Sequence, residues 1–271
     1  MPDSSRMDAE KIKKNLHPLR LGSKILVFDT LDSTNDQARR SLKEGAQEGL
    51  VLIAESQTKG RGRMGRTWVS PPQTGIYLSV ILKPPIEPEH LPQLTLLAGV
   101  AVVQAVNKFT HTKAQLKWPN DILLNGKKLS GILSEYDAAP NGEKAVIIGI
   151  GVNANHSPAD FPQELLPFAT SLKIETGQAI DRLALAAVLL GHLDREYHAY
   201  LKDGIPAILK KWMQHSDMFG EKITVTKAGS VIHGTATKLD DNGRLLIRTA
   251  NGEELALDSG EVSLGSNSPK A

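Results

Sequence analysis

Short apolar runs bounded by turn residues punctuate this chain and alternate with stretches of helical period. The runs at 24–28, 50–54, 76–82 and 145–152 predict strands, because they are brief, rich in Leu, Ile and Val, and flanked by Gly, Pro, Asp or Asn. Helical spacing predicts helices over 35–43, 92–109, 205–214 and a long one from 181, with a weaker one at 8–16. Thr34 and Gln37 have the spacing of a capping box for the first of these, and Gly45 supplies its stop. Asn125-Gly126 between apolar runs predicts a tight hairpin. The Pro-rich stretch 156–180 reads as loop. After about Met218 the pattern changes to short strands at 222–226, 231–239, 245–249 and 254–257, joined by Asn-Gly turns, so a small all-β module should close the chain.

Composition narrows the chemistry more than the fold. The 32 basic and 30 acidic residues nearly cancel, which removes bulk charge as a reason for non-specific nucleic-acid binding. The chain has no cysteine, which excludes disulfides, thiolate metal sites and thiol catalysis. No apolar run reaches the length of a membrane span, and 1–14 lacks the apolar segment of a signal peptide. The expectation is a cytoplasmic protein with no membrane partner.

Candidate chemistry centres on Gly60-Arg61-Gly62-Arg63-Met64-Gly65-Arg66, followed by Thr67 and Trp68. Glycines let backbone approach a ligand, and arginines offer planar charge to phosphate or carboxylate. The letters also fit a dinucleotide fingerprint, but that motif must open a helix, and here Ser70-Pro71-Pro72 and a new strand follow. A solvated basic hairpin stays open as the bland reading. Ser33-Thr34-Asn35 at a helix start either caps the helix or holds a polar head group. The Asn125-Gly126 hairpin carries Asn120 and Asp121 before one strand and Lys128 on the other. Gly149 and Gly151 break the last long strand ahead of Asn153, a sign of close backbone approach. Walker, kinase and Ser-elbow motifs are missing. Attack of a carboxylate on a nucleotide α-phosphate, which needs mainly positioning and positive charge, is the economical chemistry.

These stretches resemble the biotin–protein ligases (biotin–[acetyl-CoA-carboxylase] ligases). The matching segments are Asp32 to Asn35, Glu55 to Trp68, Tyr77 to Ser79, Lys117 to Asp121, Lys128 to Leu133 and Gly149 to Asn153, in family order and spacing. The resemblance implies an α+β fold. It comprises a mixed sheet flanked by helices, like class II aminoacyl-tRNA synthetases, and a small C-terminal SH3-like barrel. Its domains would be a polar extension 1–22, a catalytic domain 23–217, the β domain 218–265 and a disordered tail 266–271. It implies biotin and ATP as substrates with Mg²⁺, biotinyl-5′-AMP as intermediate and a lysine of a biotin carboxyl carrier domain as acceptor. Ser33, Thr34, Asn35, Gln57, Gly60, Arg61 and Gly131 would hold biotin. Arg63, Arg66, Trp68, Lys117, Asn120, Lys128 and Asn153 would serve the nucleotide; Arg63 and Lys128 would also touch biotin and, with Asp121 accepting the lysine proton, form the catalytic set. No metal ligand follows from the motifs. A DNA-binding domain that many relatives carry at the N-terminus is missing, so this looks like the short form without specific DNA binding; a homodimer is compatible. A lipoate–protein ligase-like enzyme and a non-catalytic biotin sensor remain the alternatives.

Overall fold

A computed structural model describes residues 6–14, 16, 20–227 and 229–264 of the chain. Seven strands form one mixed sheet: β1 (Lys24–Leu31), β2 (Leu50–Gln57), β3 (Gly75–Leu82), β4 (Gln115–Lys117), β5 (Asp121–Leu124), β6 (Lys127–Ala138) and β7 (Lys144–Asn153). They lie in the order β1-β2-β3-β7-β6-β5-β4. Only β1 and β2 are parallel, joined by a crossover through α2 (Thr34–Lys43); every other neighbour in the sheet is antiparallel. The predicted hairpin closes at Asn125 and Gly126, whose φ values of 50° and 75° are those a two-residue primed turn demands.

Side-chain alternation gives the sheet two unlike faces. Ile76, Leu78, Val80 and Leu82 of β3 and Ile148, Ile150 and Val152 of β7 point into the main core. There they meet α3 (Leu91–Val106), which packs against α5 (Arg182–Asp203) and α6 (Pro206–Gln214). The opposite face is covered by α2 only at one end, where Ala38 and Leu42 pack on Leu52, Ile81 and Ile147. Beyond that point the same face carries Ser79, Gly149, Gly151 and Gly131, and a cleft stays open for the loop that follows β2.

The C-terminal module is a five-stranded antiparallel sheet of the SH3-like kind: β8 (Lys222–Lys227), β9 (Ser230–Leu239), β10 (Leu245–Arg248), β11 (Glu254–Leu257) and β12 (Glu261–Leu264), ordered β11-β10-β9-β8-β12. Trp118 joins it to the main sheet: its ring is buried and its indole Nε1–H donates to Gly243 O at 3.2 Å.

Four expectations need correcting. The first 22 residues are not simply a polar extension. Helix α1 (Ala9–Lys14) and its flanks bury Met7, Ile12 and Leu21 in the main core, three anchors too widely spaced to register as a stripe. The capping box does not form. Ser33 is the N-cap without a side-chain cap bond, Thr34 Oγ1 faces Gln57 and Ser79, and Gln37 Oε1 accepts from Arg40. Strands β4 and β12 were not foreseen, being only three and four residues long. Helix α4 (Leu172–Thr176) interrupts the expected loop, capped by Ser171 Oγ and stopped by Gly177 in the left-handed region. The expected tail at 266–271 lies outside the described residues.

Candidate active site

The glycine–arginine segment folds into an arch over the open part of the sheet. Its rungs are Trp68 N–H to Gly60 O at 2.9 Å, a bridge between Arg61 and Thr67, and Gly62 N–H to Arg66 O at 2.7 Å. Met64 and Gly65 form its tip with φ of 55° and 75°, and Met64 is 71 % exposed. The arch is hairpin-like, as in the bland reading, but its arginines are not merely solvated: each is engaged by a different part of the molecule. Arg61 joins Glu135 of β6 and Asp36 of α2. Arg63 Nη1–H donates to Asn120 Oδ1 at 3.0 Å, and Asn120 in turn donates to Ile132 O. Arg66 pairs with Glu261 of the C-terminal module.

The floor of the arch explains its glycines. A Cβ on Gly151 would overlap the Trp68 indole, and one on Gly149 would overlap the Asn35 side chain. Trp68 also lies against Gly131, where a Cβ would stand 3.1 Å from the ring. The indole therefore seats on a slot that only glycines on β6 and β7 leave deep enough.

Lys128 enters the slot from the hairpin. Its Nζ stands 5.6 Å from the Trp68 ring centre and 2.8 Å from Asp121 Oδ1, an ion pair by distance although the approach is too oblique for a hydrogen bond. Lys117 is half-buried beside them, and burial lowers its pKa against the opposing pull of Asp121. Arg63, Arg66, Lys117 and Lys128 thus face two carboxylates, Asp121 and Glu261. This surplus of positive charge suits a multiply charged anion.

The opposite end is polar and neutral. Ser33 is buried at the start of α2, and its hydroxyl caps nothing. Gln57 Oε1 accepts Thr34 N–H at 2.8 Å, Gln57 Nε2–H donates to Ser70 Oγ at 2.9 Å, and Ser70 Oγ–H donates to Trp68 O. Asn35 accepts from Ser79 and donates to Glu135. Asn153 is buried at the end of β7 and donates to Thr170 O, so it holds the following loop. That loop pairs with Lys128 through Lys128 N–H to Phe168 O and Thr170 N–H to Lys128 O, and leaves Leu165, Leu166 and Phe168 partly exposed nearby. Sequence reasoning gave no role to this apolar trio, nor to Glu135, Asp36, Ser70 and Glu261, which only spatial neighbours mark; Ser79 lay in a matching segment but was assigned no role there.

Among the described residues no group of three or more His, Asp or Glu could hold a metal ion, and no helix is long and apolar enough to cross a membrane. A surface hollow of about 410 Å³ between 85–93 and the end of α5 shares no residue with the arch, and its lining includes no Lys or Arg.

Known proteins are similar to this chain in sequence and fold. Residues 27–153 match the biotin/lipoate A/B protein ligase family and residues 218–265 match the biotin protein ligase C-terminal domain. The bifunctional ligase/repressor BirA of Bacillus subtilis is 37 % identical over 260 residues, covering 96 % of this chain and 80 % of that protein. The biotin–[acetyl-CoA-carboxylase] ligase of Paracoccus denitrificans is 34 % identical over 243 residues, covering 86 % of this chain and 98 % of that one. The biotin protein ligase of Aquifex aeolicus, solved with biotin and ATP, superposes with a TM-score of 0.76 at 31 % identity, over 89 % of this chain and 98 % of that one.

Proposed function

The chain belongs to the biotin/lipoate A/B protein ligase family, and from that premise we infer that it is a biotin–[acetyl-CoA-carboxylase] ligase. It forms biotinyl-5′-AMP from biotin and ATP, then passes biotin to a lysine of a biotin carboxyl carrier domain. The observation that carries the division of labour is the polarity of the cleft. A neutral hydrogen-bonding end at Ser33, Thr34 and Gln57 leads across the glycine floor to the cluster of Arg63, Arg66, Lys117 and Lys128.

Biotin has the matching polarity. Its ureido ring takes the hydroxyls of Ser33 and Thr34 and the Gln57 amide, with Asn35 behind them. Its apolar body lies along Gly60, Arg61 backbone and Gly131, its carboxylate reaches Lys128, and Trp68 is left to the adenine. In the first step a carboxylate oxygen attacks the α-phosphorus and pyrophosphate leaves. Negative charge gathers on the phosphoryl oxygens, and Lys128, Arg63 and Lys117 stabilise it more in the transition state than in the ground state. Asn120 and Asn153 orient the nucleotide's surroundings, while Arg66 exchanges Glu261 for phosphate. Mg²⁺ would enter on the nucleotide, because this ion is commonly held by substrate phosphates, water and one or two carboxylates, and Asp121 offers one. In the second step the carrier amine attacks the acyl carbon, AMP leaves, and Asp121 accepts the amine proton.

Pyrophosphate exchange tests this directly. Biotin should drive exchange of label from pyrophosphate into ATP, and lipoate should not. Exchange with lipoate alone would move the chain to the other branch of its family, and no exchange with either would leave a sensor.

A further inference from the structure

Four residues beyond Gly131 and on the same face of β6, Glu135 gathers donors from two other elements. Its Oε1 accepts from Arg61 Nη1 at 3.1 Å and from Arg39 Nη2 at 3.1 Å. Its Oε2 accepts from Arg61 Nη2 at 2.9 Å and from Asn35 Nδ2 at 2.7 Å. Asp36 ties the same two guanidinium groups, at 2.8 Å to Arg61 and 2.9 Å to Arg39. From Asn35 the contacts run inward: Ser79 Oγ donates to Asn35 Oδ1 at 2.6 Å and lies 2.8 Å from Thr34 Oγ1, which faces Gln57. One carboxylate therefore touches the root of the arch through Arg61 and the polar end of the cleft through Asn35.

We propose that Glu135 is a positioning residue for biotin binding, holding the arch and the Asn35–Ser79–Thr34 contacts as one unit so that seating of the arch and capture of the biotin head are linked. The inference rests on the assignment of Thr34 and Gln57 to biotin. The two-pronged Arg61–Glu135 contact is of the strong, orientation-setting kind, and the Glu135 side chain is only 19 % exposed, so water screens it less than a surface pair. Burial alone would raise the Glu135 pKa, but its bonds to Asn35, Arg61 and Arg39 keep it low and the carboxylate ionised. Arg61 cannot be replaced by a point charge here, since lysine has no planar fork. A neighbouring pair separates this role from simple bracing. Arg39 also donates to Asp137 at 2.9 Å, linking α2 to β6 without touching the arch.

The test uses the full chain, with calorimetric biotin binding in the absence of ATP, pyrophosphate exchange, and hydrogen exchange of the 60–68 amides. Losing one charge-assisted contact predicts about tenfold weaker biotin binding for Glu135→Gln, with kcat at saturating biotin within about threefold and faster exchange in the arch. Arg61→Gln, which approaches the same contact from the arch, should match it. The double variant should be no worse than the weaker single, because the two changes break one interaction. Asp137→Asn should stay within about twofold of the unaltered chain. Glu135→Gln binding biotin as well as Asp137→Asn does, with arch exchange unchanged, would overturn this proposal alone, as would additive losses in the double variant. Failure of the unaltered chain to bind biotin would overturn the biotin assignment and this inference with it.

Discussion

The two faces of the central sheet are built from the same strands and do opposite work. On β3, Leu78 and Val80 enter the main core, while Ser79 between them turns to the cleft. On β7, Ile148, Ile150 and Val152 face the helices, while Gly149 and Gly151 form the floor beneath Trp68 and Asn35. The apolar face gains stability from area removed from water, roughly 1.5–3 kcal/mol for each large side chain. The cleft face forgoes that gain at every glycine and serine, and in return leaves room for a ligand. The comparison teaches that stability and function are separated here by the side-chain period of two, within single strands.

That separation can be broken from either side. The largest effect is expected on the core face. Leu78→Ala should lose about 2–5 kcal/mol of folding free energy, because a fully buried side chain leaves a cavity, while exchange activity per folded molecule stays close to the unaltered value. Denaturant titration beside an activity assay checks both halves. Lys128→Ala should do the reverse: a rate loss of about 10²–10³ in pyrophosphate exchange at near-unchanged stability, since it removes the charge proposed to face the phosphate, on a side chain 36 % exposed. Normal exchange by this variant would remove Lys128 from the junction.

A third change probes the seam between the faces. Buried His156 sits with Nε2 3.2 Å from the Tyr77 hydroxyl and its ring stacked on Phe161, and its Nδ1 has no partner. Burial pushes its pKa down to about 4. The folded value lies below the unfolded one, so the unfolded chain binds the proton first as acid is added. Stability is then full above about pH 6.5 and is lost as pH falls toward 4, by roughly 3–4 kcal/mol at most. His192, also pushed to about 4, adds to the same slope. Unfolding free energies measured from pH 7 to 4 should fall in this window, and His156→Gln should flatten part of the fall. An unchanged slope would show that another group carries it.

The smallest effect sharpens the comparison most. Gly151→Ala adds one methyl on the cleft face, where the nearest atoms it meets are those of the Trp68 indole. Biotin binding should weaken about tenfold, or roughly 1.4 kcal/mol, with stability changed by less than about 1 kcal/mol. A large stability loss with biotin affinity intact would show that Gly151 serves the fold and not the slot.

Much of this was legible beforehand. The main sheet's longer strands, the Asn125-Gly126 turn, α2, α3, α5 and the C-terminal β module follow from short-range rules, in which a residue's neighbours in the chain determine its period and its turns. The glycine–arginine segment and the Lys128 hairpin stood out for the same reason, because their chemistry is concentrated in a few adjacent positions. The capping box failed because the Thr34 hydroxyl found better partners in Gln57 and Ser79, which lie 23 and 45 residues away. Met7, Ile12 and Leu21 looked like isolated apolar residues in a polar stretch, and only a core to bury them in gave them meaning.

By itself, then, the sequence determined the longer strands, most helices and the Asn-Gly turns, and that one loop is rich in anion-binding groups. The tertiary structure alone decided what each arginine of that loop does. Arg61, Arg63 and Arg66 are alike in composition and setting, yet they bind Glu135, Asn120 and Glu261, at separations of 74, 57 and 195 residues. Period and turn propensity are local interactions and leave a trace in adjacent letters. An ion pair across the cleft depends on where the chain returns in space, and nothing in the neighbouring residues encodes that distance.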